Sequence, residues 1–374
     1  MLIDTTRTGT YHQAILGNAE QFRDKCVMDL GAGSGILSWF ALQAGARHVY
    51  CIEAAEGMVR VLSTLAASNG YADRVTVLHG KVEELDPSSV LSHGDTIDLI
   101  VSEPMGVLLL HERMIESFVY ARDRFLGPAR AHGDADARCA PSSRQRLFPS
   151  AGRILFSPFS DAALHYDVWS KALFWQQTSF YQVDLSALAK DAVDEYFSHP
   201  VVGPVRPASL MSAVPSEHAI DFATVTPAAL RDFRVPLRFT VNATGIMHGL
   251  AGWFDVCLGQ TNTLVLSTGP ASPPTHWYQL QLLFRTPLAV NRGQTVSGFT
   301  DWRANSRRSY DLALSLRLDG TVYEVHETYH LQNQQYSDVR PPAERGGGHF
   351  PAQAQDPSNP TATLHESTAF YHLY

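Results

Sequence analysis

Residues 25–54, KCVMDLGAGSGILSWFALQAGARHVYCIEA, decide the fold of the chain. A short apolar run, CVMDL, leads into a turn with glycines at Gly31, Gly33 and Gly35, and a helical pattern follows. A second apolar run, HVYCIEA, contains Glu53 near its end. A strand, a glycine-rich turn, a helix and a second strand in this order predict a βαβ unit with parallel strands.

The same alternation continues beyond this unit, and then the texture of the sequence changes. The runs RVTVLHG and IDLIVSEP follow a further helical pattern, so we predict an α/β, Rossmann-like domain with functional loops at the carboxyl ends of its strands. After residue 149, short alternating runs such as RILFSPF, GWFDVCL and YDLALSLRL predominate. Such runs are typical of a β-rich second domain, either a barrel or a sandwich.

The predicted organisation has four parts and two special segments. The parts are a helical segment at 1–24, the α/β domain at 25–149, the β-rich domain at 150–338 and a disordered tail at 339–374. Within them, residues 129–146 lack periodicity and are predicted to be an irregular insertion. Residues 161–200 are helical and rich in aromatic side chains, which are typical both of a core and of an interface.

Composition excludes several classes of protein. The formal net charge of −8 over 374 residues argues against a protein that binds nucleic acid through bulk charge. The longest apolar stretch, 97–110, contains Asp98, Glu103 and Pro104, so we predict no membrane-spanning helix, and the first residues do not resemble a secretory signal. The four cysteines lack paired spacing, so we predict no metal site, no disulfide framework and a reducing compartment.

The glycine-rich turn predicts a nucleoside site, because Gly31 and Gly33 allow a ligand to approach the backbone. The order D-x-G-x-G-x-G differs from the dinucleotide pattern G-x-G-x-x-G and favours S-adenosylmethionine over NAD. Glu53 is then an acceptor for ribose hydroxyls, Glu83 an acceptor for the adenine amine, and Arg7 a charge partner for the cofactor carboxylate. An ordinary tightly packed βα turn is the alternative.

Two acids, Glu103 and Glu112, flank an apolar loop in IVSEPMGVLLLHERM. Glu103 follows a predicted strand at 97–101, at the edge where open α/β sheets place their sites. Two converging carboxylates suit a guanidinium, which is planar, always charged and presents its N–H groups as a fork. The alternatives are the general acid and base of a hydrolase, or a solvated loop charge.

A histidine in the motif THWYQ is a third candidate. If His276 faces the two carboxylates, it can accept the proton released from a methylated nitrogen, and Asp4 can orient its imidazole ring. A purely structural histidine is the alternative.

Together these residues resemble the protein arginine methyltransferase family. The resemblance covers residues 1 to about 318 and rests on DLGAGSGILSWFALQAGARHVYCIEA, GKVEE, SEPMG with ERM, DLSAL, GLAGWFDV, THWYQ and NSRRSYDLAL. Most relatives carry tryptophan at the position of Pro104, and in having proline there the chain resembles the coactivator-associated branch of the family. The resemblance implies a class I, Rossmann-like S-adenosylmethionine-dependent methyltransferase domain followed by a β-barrel.

The resemblance also implies roles for individual residues. Glu103 and Glu112 hold the substrate guanidinium, and His276 with Asp4 relays the proton. The residues implied to hold the cofactor are Arg7, Gly31, Gly33, Glu53, Glu83 and Ser117. Those implied to line the acceptor pocket are Met1, Met114 and Trp277.

At the level of the whole protein, the resemblance implies a type I enzyme, which makes monomethyl and asymmetric dimethyl arginine on histone tails and RNA-processing proteins. It implies a homodimer formed through an arm at 161–200, no direct binding of nucleic acid, and residence in the nucleus and cytoplasm. The family has a helix before the position of Met1 that closes over the cofactor, so residues 1–24 are expected to be a truncated lid segment. A catalytically silent partner of an active paralogue is the alternative function.

Overall fold

The computed structural model describes residues 2–92, 95–127, 143–259 and 263–337. Met1, most of the predicted insertion at 129–146 and the whole of the predicted tail at 339–374 lie outside these described residues. Within the described part, no helix is long and apolar enough to cross a membrane.

The first part of the chain alternates helices and strands. Its elements are α1 (Thr5–Gly17), α2 (Ala19–Phe22), β1 (Cys26–Leu30), α3 (Ile36–Gln43), β2 (His48–Glu53), α4 (Glu56–Ser68), β3 (Val75–His79), α5 (Pro87–Val90), β4 (Leu99–Ser102), α6 (Met114–Phe125) and β5 (Leu147–Phe148).

The five strands of this part form a parallel sheet in the order β3-β2-β1-β4-β5. Every residue of β1 is buried, which is typical of a central parallel strand covered by helices on both faces. The carboxyl ends of β1, β2 and β4 therefore meet at one edge of the sheet. This parallel sheet confirms the predicted α/β class.

The second part is built mainly from strands. Its elements are β6 (Ala151–Phe159), α7 (Ala162–Leu173), α8 (Ala189–Ser198), β7 (Val201–Gly203), β8 (Ser216–Asp221), β9 (Asp232–Thr240), β10 (Gly245–Leu258), β11 (Leu264–Ser267), β12 (Gln279–Val290), β13 (Thr295–Ala304), β14 (Tyr310–Leu318), β15 (Glu324–His330) and β16 (Gln335–Tyr336).

These strands form two sheets that lie against each other. One has the order β16-β7-β12-β10-β6-β8, with β11 paired to β10, and the other has the order β15-β14-β13-β9. Ser216 on β8 hydrogen-bonds to the backbone of Arg238 on β9, and Glu327 on β15 accepts two bonds from Arg285 on β12. The sheets thus meet along two lines, as the predicted β-rich barrel requires.

The structure shifts some predicted boundaries. Strand β4 covers Leu99–Ser102 rather than 97–101, so it ends directly before Glu103. Of the stretch predicted to be irregular, Ser143–Arg146 forms a 3-10 turn. The predicted helical stretch at 161–200 contains α7 and α8, whose inner residues Val168 and Phe197 are buried.

Candidate active site

The glycine turn after β1 leaves room at the edge of the parallel sheet. A Cβ on Gly33 would meet nothing within 4 Å, and one on Gly31 would meet only the Cε of Met114 at 3.4 Å. All three glycines have a positive φ, but Gly35 differs in its packing, since a Cβ there would lie 2.6 Å from the Trp39 ring. Gly35 is therefore required by packing, whereas the space at Gly31 and Gly33 is available to a ligand.

Glu53 lies opposite this turn at the end of β2. Its two carboxylate oxygens accept backbone N–H groups of Gly33 and Ala55, both at 2.8 Å. The structure thus brings together Glu53, which is predicted to accept the ribose hydroxyls, and Gly33, where the cofactor is predicted to approach the protein backbone. Two backbone donors fix the carboxylate in place beside the open turn.

The first helix brings a buried cation to the same edge. Asp4 caps α1 by accepting the Arg7 backbone N–H at 2.9 Å, which begins the helix at Thr5. Arg7 is 4% exposed, and its Nη2 forms an ion pair with Glu103 Oε2 at 3.2 Å. Tyr11, one turn further along α1, donates to the Ser102 carbonyl oxygen at 2.8 Å and fixes α1 to the end of β4.

The loop between the two predicted acids folds back on itself. Gly106 and Leu109 exchange two backbone hydrogen bonds, at 3.2 and 3.0 Å. A Cβ on Gly106 would lie 2.1 Å from the His111 carbonyl oxygen, so only glycine permits this close approach. Leu108, Leu109 and Leu110 are buried inside the fold. The loop is therefore packed rather than solvated, and it returns the chain toward Glu103.

Glu112 has an unusual backbone conformation at the end of this loop. Its φ is +71° and that of Arg113 is +56°, a region that costs a residue with a side chain about 1–2 kcal/mol. Arg113 forms a two-bonded ion pair with Glu116, at 2.6 and 2.9 Å, and donates to the Asn305 carbonyl oxygen at 3.1 Å. Such conformations are concentrated at functional sites, where the surrounding contacts hold them.

The two acids influence each other electrostatically. Burial raises the pKa of Glu103 to about 7; the charge and hydrogen bond of Arg7 oppose this rise, and the charges of Glu112 and Asp4 add to it. Burial also raises the pKa of Glu112, although the charge of Arg308 lowers it. In a desolvated site, two carboxyl groups whose charges repel each other are stabilised by a bound cation, because the cation favours the ionised form of both.

The β-rich part contributes a histidine to the same site. His276 Nδ1 lies 2.7 Å from Asp4 Oδ2, and the His276 backbone N–H donates to the same oxygen at 2.9 Å. Desolvation tends to raise the pKa of Asp4, but the bonds from Arg7 and His276 hold it below its usual value. Desolvation lowers the pKa of His276 against the opposing effect of Asp4. A neutral imidazole that donates from Nδ1 keeps Nε2 free to accept a proton.

Trp277 connects this histidine to the acidic loop. It is 4% exposed, and its Nε1 donates to the Met105 carbonyl oxygen at 3.0 Å, two residues after Glu103. Its ring packs against Phe254 with centroids 5.3 Å apart. Trp277 therefore holds the THWYQ turn against the loop of the two acids, in addition to its predicted place in the acceptor pocket.

Two further predicted residues lie at the start of α6, and a third, Glu83, lies beside them. Ser117 donates to Glu83 Oε1 at 2.6 Å, which joins α6 to the turn after β3. Met114, at the first position of α6, faces the glycine turn at Gly31. The cofactor residues predicted from separate motifs are thus brought to one edge of the sheet, while Met1 lies outside the described residues.

The sequence reasoning missed Asp29, the acid of the D-x-G-x-G pattern. Asp29 is 1% exposed, Ser38 donates to its Oδ2 at 2.6 Å, and burial raises its pKa to about 6. In the described part of the chain, Asp29 Oδ1 and Arg7 Nε are buried without a hydrogen-bond partner. An unpaired anionic acceptor and an unpaired cationic donor fit the ammonium and carboxylate of an amino-acid ligand. The order of the turn motif was the signal that could have identified Asp29.

No group of three potential metal-ligating side chains occurs among the described residues. The site therefore consists of two carboxylates, a buried arginine and a histidine–carboxylate pair beside an open glycine turn. This arrangement can bind a flat cation, hold an amino-acid-bearing nucleoside and accept a proton.

Two protein-family models match the chain. Residues 27–128 match the family described as methyltransferase domain, and residues 151–321 match the arginine methyltransferase oligomerization subdomain. The first match covers most of the parallel sheet and the second begins at β6.

Curated relatives are similar over most of this chain. A probable histone-arginine methyltransferase CARM1 of Oryza sativa subsp. indica is 43% identical over 317 residues, which are 84% of this chain and 56% of the relative. The histone-arginine methyltransferase CARMER of Drosophila mojavensis is 39% identical over 359 residues, which are 96% of this chain and 62% of the relative. The chain thus spans little more than half the length of these relatives.

Solved structures share the fold. A PRMT1 enzyme-prozyme heterotetrameric complex with AdoHcy from Trypanosoma brucei has a TM-score of 0.74 and 28% identity, and it covers 88% of this chain and 96% of the other. Protein arginine methyltransferase 10 of Arabidopsis thaliana, in an open conformation, also has a TM-score of 0.74, with 25% identity over 88% of this chain and 95% of the other.

Proposed function

The chain belongs to the protein arginine methyltransferase family, and we propose that it transfers a methyl group from S-adenosylmethionine to a guanidino nitrogen of arginine in proteins. One observation carries the proposal. Glu103 directly follows Ser102, which pairs with Leu30 at the start of the glycine turn, and its side chain is buried with a pKa raised to about 7, to which the charge of Glu112 contributes. A desolvated pair of carboxylates is matched in charge and shape to a guanidinium.

The residues around the glycine turn are suited to hold the cofactor. Arg7 offers its unpaired Nε to the carboxylate, Asp29 its unpaired Oδ1 to the ammonium, and Glu53 its fixed carboxylate to the ribose hydroxyls. Glu83 and Ser117 lie further along the same edge and are assigned to the adenine end. When bound, S-adenosylmethionine supplies an electrophilic methyl group on a sulfonium.

The two acids bind and orient the substrate. Each carboxylate accepts N–H groups of the planar guanidinium, which restricts its rotation and directs one terminal nitrogen. Binding of the cation lowers the pKa of Glu103, so that the acid is ionised in the complex. The negative charges also draw positive charge toward the other nitrogens, which raises the nucleophilicity of the free one. Met114 and Trp277 are assigned to the wall of this pocket.

His276 receives the proton that the substituted nitrogen releases. Its lowered pKa keeps the ring neutral at neutral pH, and the Nδ1 contact with Asp4 directs Nε2 as the proton acceptor. Asp4 stabilises the imidazolium that forms. Because Asp4 also caps α1, the position of Arg7 and the position of His276 depend on the same carboxylate.

We assign the products and substrates from the family. Its relatives are named for activity on histone arginine, so we propose histone tails as substrates. From the resemblance to type I enzymes we also propose RNA-processing proteins as substrates, and monomethyl and asymmetric dimethyl arginine as products. A nuclear and cytoplasmic location follows from those substrates. We also propose that domain boundaries lie near residues 24 and 149 and that a tail begins at residue 339.

The helical arm supports a homodimer. On the part of the arm that the structure describes, large apolar side chains are exposed: Tyr166, Phe174, Phe180, Tyr181, Val183 and Leu188. Tyr181 is 87% exposed, which is unusual for an aromatic side chain outside an interface. The match to an oligomerization subdomain supports the same assignment. A monomeric mass at micromolar concentration in analytical ultracentrifugation would contradict it.

The proposed activity is tested by transfer of radiolabelled methyl from S-adenosylmethionine to an arginine-containing peptide, with the matching lysine peptide as a control. We expect radiolabel to be transferred to the arginine peptide only. Mass spectrometry of that peptide should then identify monomethyl and asymmetric dimethyl arginine. Binding of S-adenosylhomocysteine without transfer to any peptide would instead support the silent partner. The buried acids and the histidine pair give that alternative no support, because a silent subunit has no need of them.

A further inference from the structure

A cationic side chain lies against the backbone of the second acid, Glu112. Arg308, in the turn between β13 and β14, donates from Nε to the Glu112 carbonyl oxygen at 3.3 Å. Its Nη2 contacts the Met114 sulfur at 3.8 Å. The side chain is exposed, yet its charge is close enough to lower the pKa of Glu112. Arg308 therefore touches both ends of the segment that carries the second acid.

The turn that carries Arg308 is firmly attached to the loop. Ser309 is fully buried, and its hydroxyl lies 2.9 Å from His111 Nδ1. Arg113 donates to the Asn305 carbonyl oxygen, and the Asn305 side chain accepts the Ser309 backbone N–H at 3.2 Å. Bonds on both sides of Arg308 thus fix its position relative to Glu112.

The Arg308 guanidinium keeps bonding capacity for a ligand. Its φ of +55° is a conformation that residues with side chains rarely adopt, so neighbouring contacts hold the residue there. Nε and Nη2 have partners, whereas Nη1 has none among the described residues. A free N–H pair on a fixed cation beside the second acid can donate hydrogen bonds to a bound substrate.

We propose that Arg308 determines which arginines are accepted, by favouring acidic or neutral residues next to the methylated arginine and disfavouring lysine or arginine there. This proposal rests on the proposed methyltransferase function and names its substrate class. The free Nη1 can bond to a carboxylate or a peptide carbonyl oxygen of the flanking residue. A second cation in that position would be repelled.

The other charges of the protein do not distinguish between acidic and basic residues next to the methylated arginine. Glu103, Glu112 and a net charge of −8 attract basic segments as a whole and do not distinguish an isolated arginine from a basic cluster. A local positive charge opposes that attraction only beside the acceptor. For a partly exposed contact, exchanging an acidic for a basic flank is expected to change binding about 3- to 10-fold.

The test uses three peptides that differ only at the two residues flanking one arginine, which are both aspartate, both glycine or both lysine. We compare kcat/KM for methyl transfer by the wild-type chain and by Arg308→Gln, which keeps side-chain length and polarity. Arg303→Gln is the matched control, because Arg303 lies on β13, its side chain is 74% exposed and its nearest acid is 4.0 Å away. The ratio of the aspartate to the lysine peptide is the readout, so a general change in activity cancels.

Arg308→Gln is expected to shift this ratio about 3- to 10-fold toward the lysine peptide, less at 0.5 M salt because of screening, while Arg303→Gln leaves it unchanged. An unchanged ratio in Arg308→Gln would overturn the proposal. An equal shift in both variants would also overturn it, because general surface charge would then account for the preference.

The failure of the proposed function has a different signature. If the wild-type chain transfers methyl to none of the peptides, the proposed methyltransferase activity is wrong. The same ratio is then measured as Kd by fluorescence anisotropy of labelled peptides. A shift in that ratio for Arg308→Gln alone supports the recognition role, and its absence overturns it.

Discussion

Replacement of Glu103 by glutamine tests the centre of the mechanism. The substitution removes the charge but keeps the shape, and the glutamine oxygen can still accept from Arg7, so the fold should be retained. Loss of the charged contact between Glu103 and the bound guanidinium should cost about 3–5 kcal/mol of binding free energy, within the range for a truncated, buried, hydrogen-bonded charge pair across an interface. At about 1.4 kcal/mol per tenfold, kcat/KM should fall roughly 10²- to 10⁴-fold.

The pH dependence adds a second readout. Because burial raises the pKa of Glu103 to about 7, the carboxyl is largely protonated below that pH and cannot bind a guanidinium as an anion. For the wild-type chain, kcat/KM should therefore be maximal above pH 7 and fall as the pH decreases through 7. Substrate binding lowers this pKa, so kcat should depend less on pH. Glu103→Gln should lack this acidic limb.

The assay is radiolabelled methyl transfer to an arginine peptide between pH 5.5 and 9, with unfolding followed for each variant. Glu217→Gln is the matched control, since Glu217 is exposed on β8 and, within the part of the chain that the structure describes, its side chain forms a single long contact, 3.4 Å, with Arg153. If Glu103→Gln keeps kcat/KM within threefold of the wild-type value, or keeps the limb near pH 7, the guanidinium clamp is refuted.

Three further predictions concern the cofactor, the proton relay and the glycine turn. Arg7→Lys keeps the charge but loses the fork and its unpaired Nε, so the Kd for S-adenosylhomocysteine should rise about 10-fold in calorimetry; an unchanged Kd would remove Arg7 from the cofactor site. Asp4→Asn retains the helix cap but removes the charge that raises the pKa of His276, so kcat should fall on the order of 100-fold and its limb for His276 should move to lower pH. A kcat equal to that of wild type would leave the pair with a structural role only. Gly35→Ala places a Cβ against Trp39 at a φ of +80°, which should lower the free energy of unfolding in urea by about 1–3 kcal/mol.

The glycine prediction has a control within the same domain. A Cβ on Gly57, in the first turn of α4, would meet nothing within 4 Å. Gly57→Ala should therefore leave stability unchanged or raise it by about 0.5–1 kcal/mol. Equal destabilisation in both variants would show that the space around Gly35 is not the cause.

Local pattern was sufficient to predict the class of the first domain. The CVMDL run, the glycine turn and the helix after Ile36 depend on interactions within a few residues, and the structure has β1, the turn and α3 in that order. The position of Glu103 was also predictable, because a strand and its end can be identified from a short window. The predicted strand began two residues before the observed one, at 97 rather than at Leu99.

Asp29 shows where local reasoning stopped. Its place in the motif was visible, but its burial and its unpaired Oδ1 result from the helices that cover β1. The pKa values of Glu103 and Asp29 likewise depend on the surrounding protein, which no local pattern specifies.

The sequence by itself determined the alternation of strands and helices, the glycine turn and the identity of the acids, because these follow from short-range preferences and side-chain chemistry. Only the tertiary structure decided which of them meet. Asp4 and His276 are 272 residues apart in the chain, and Arg308 and Glu112 are 196 apart. Contacts at such separations are set by the packing of whole domains against each other, and that packing also fixes the burial and charge of the site.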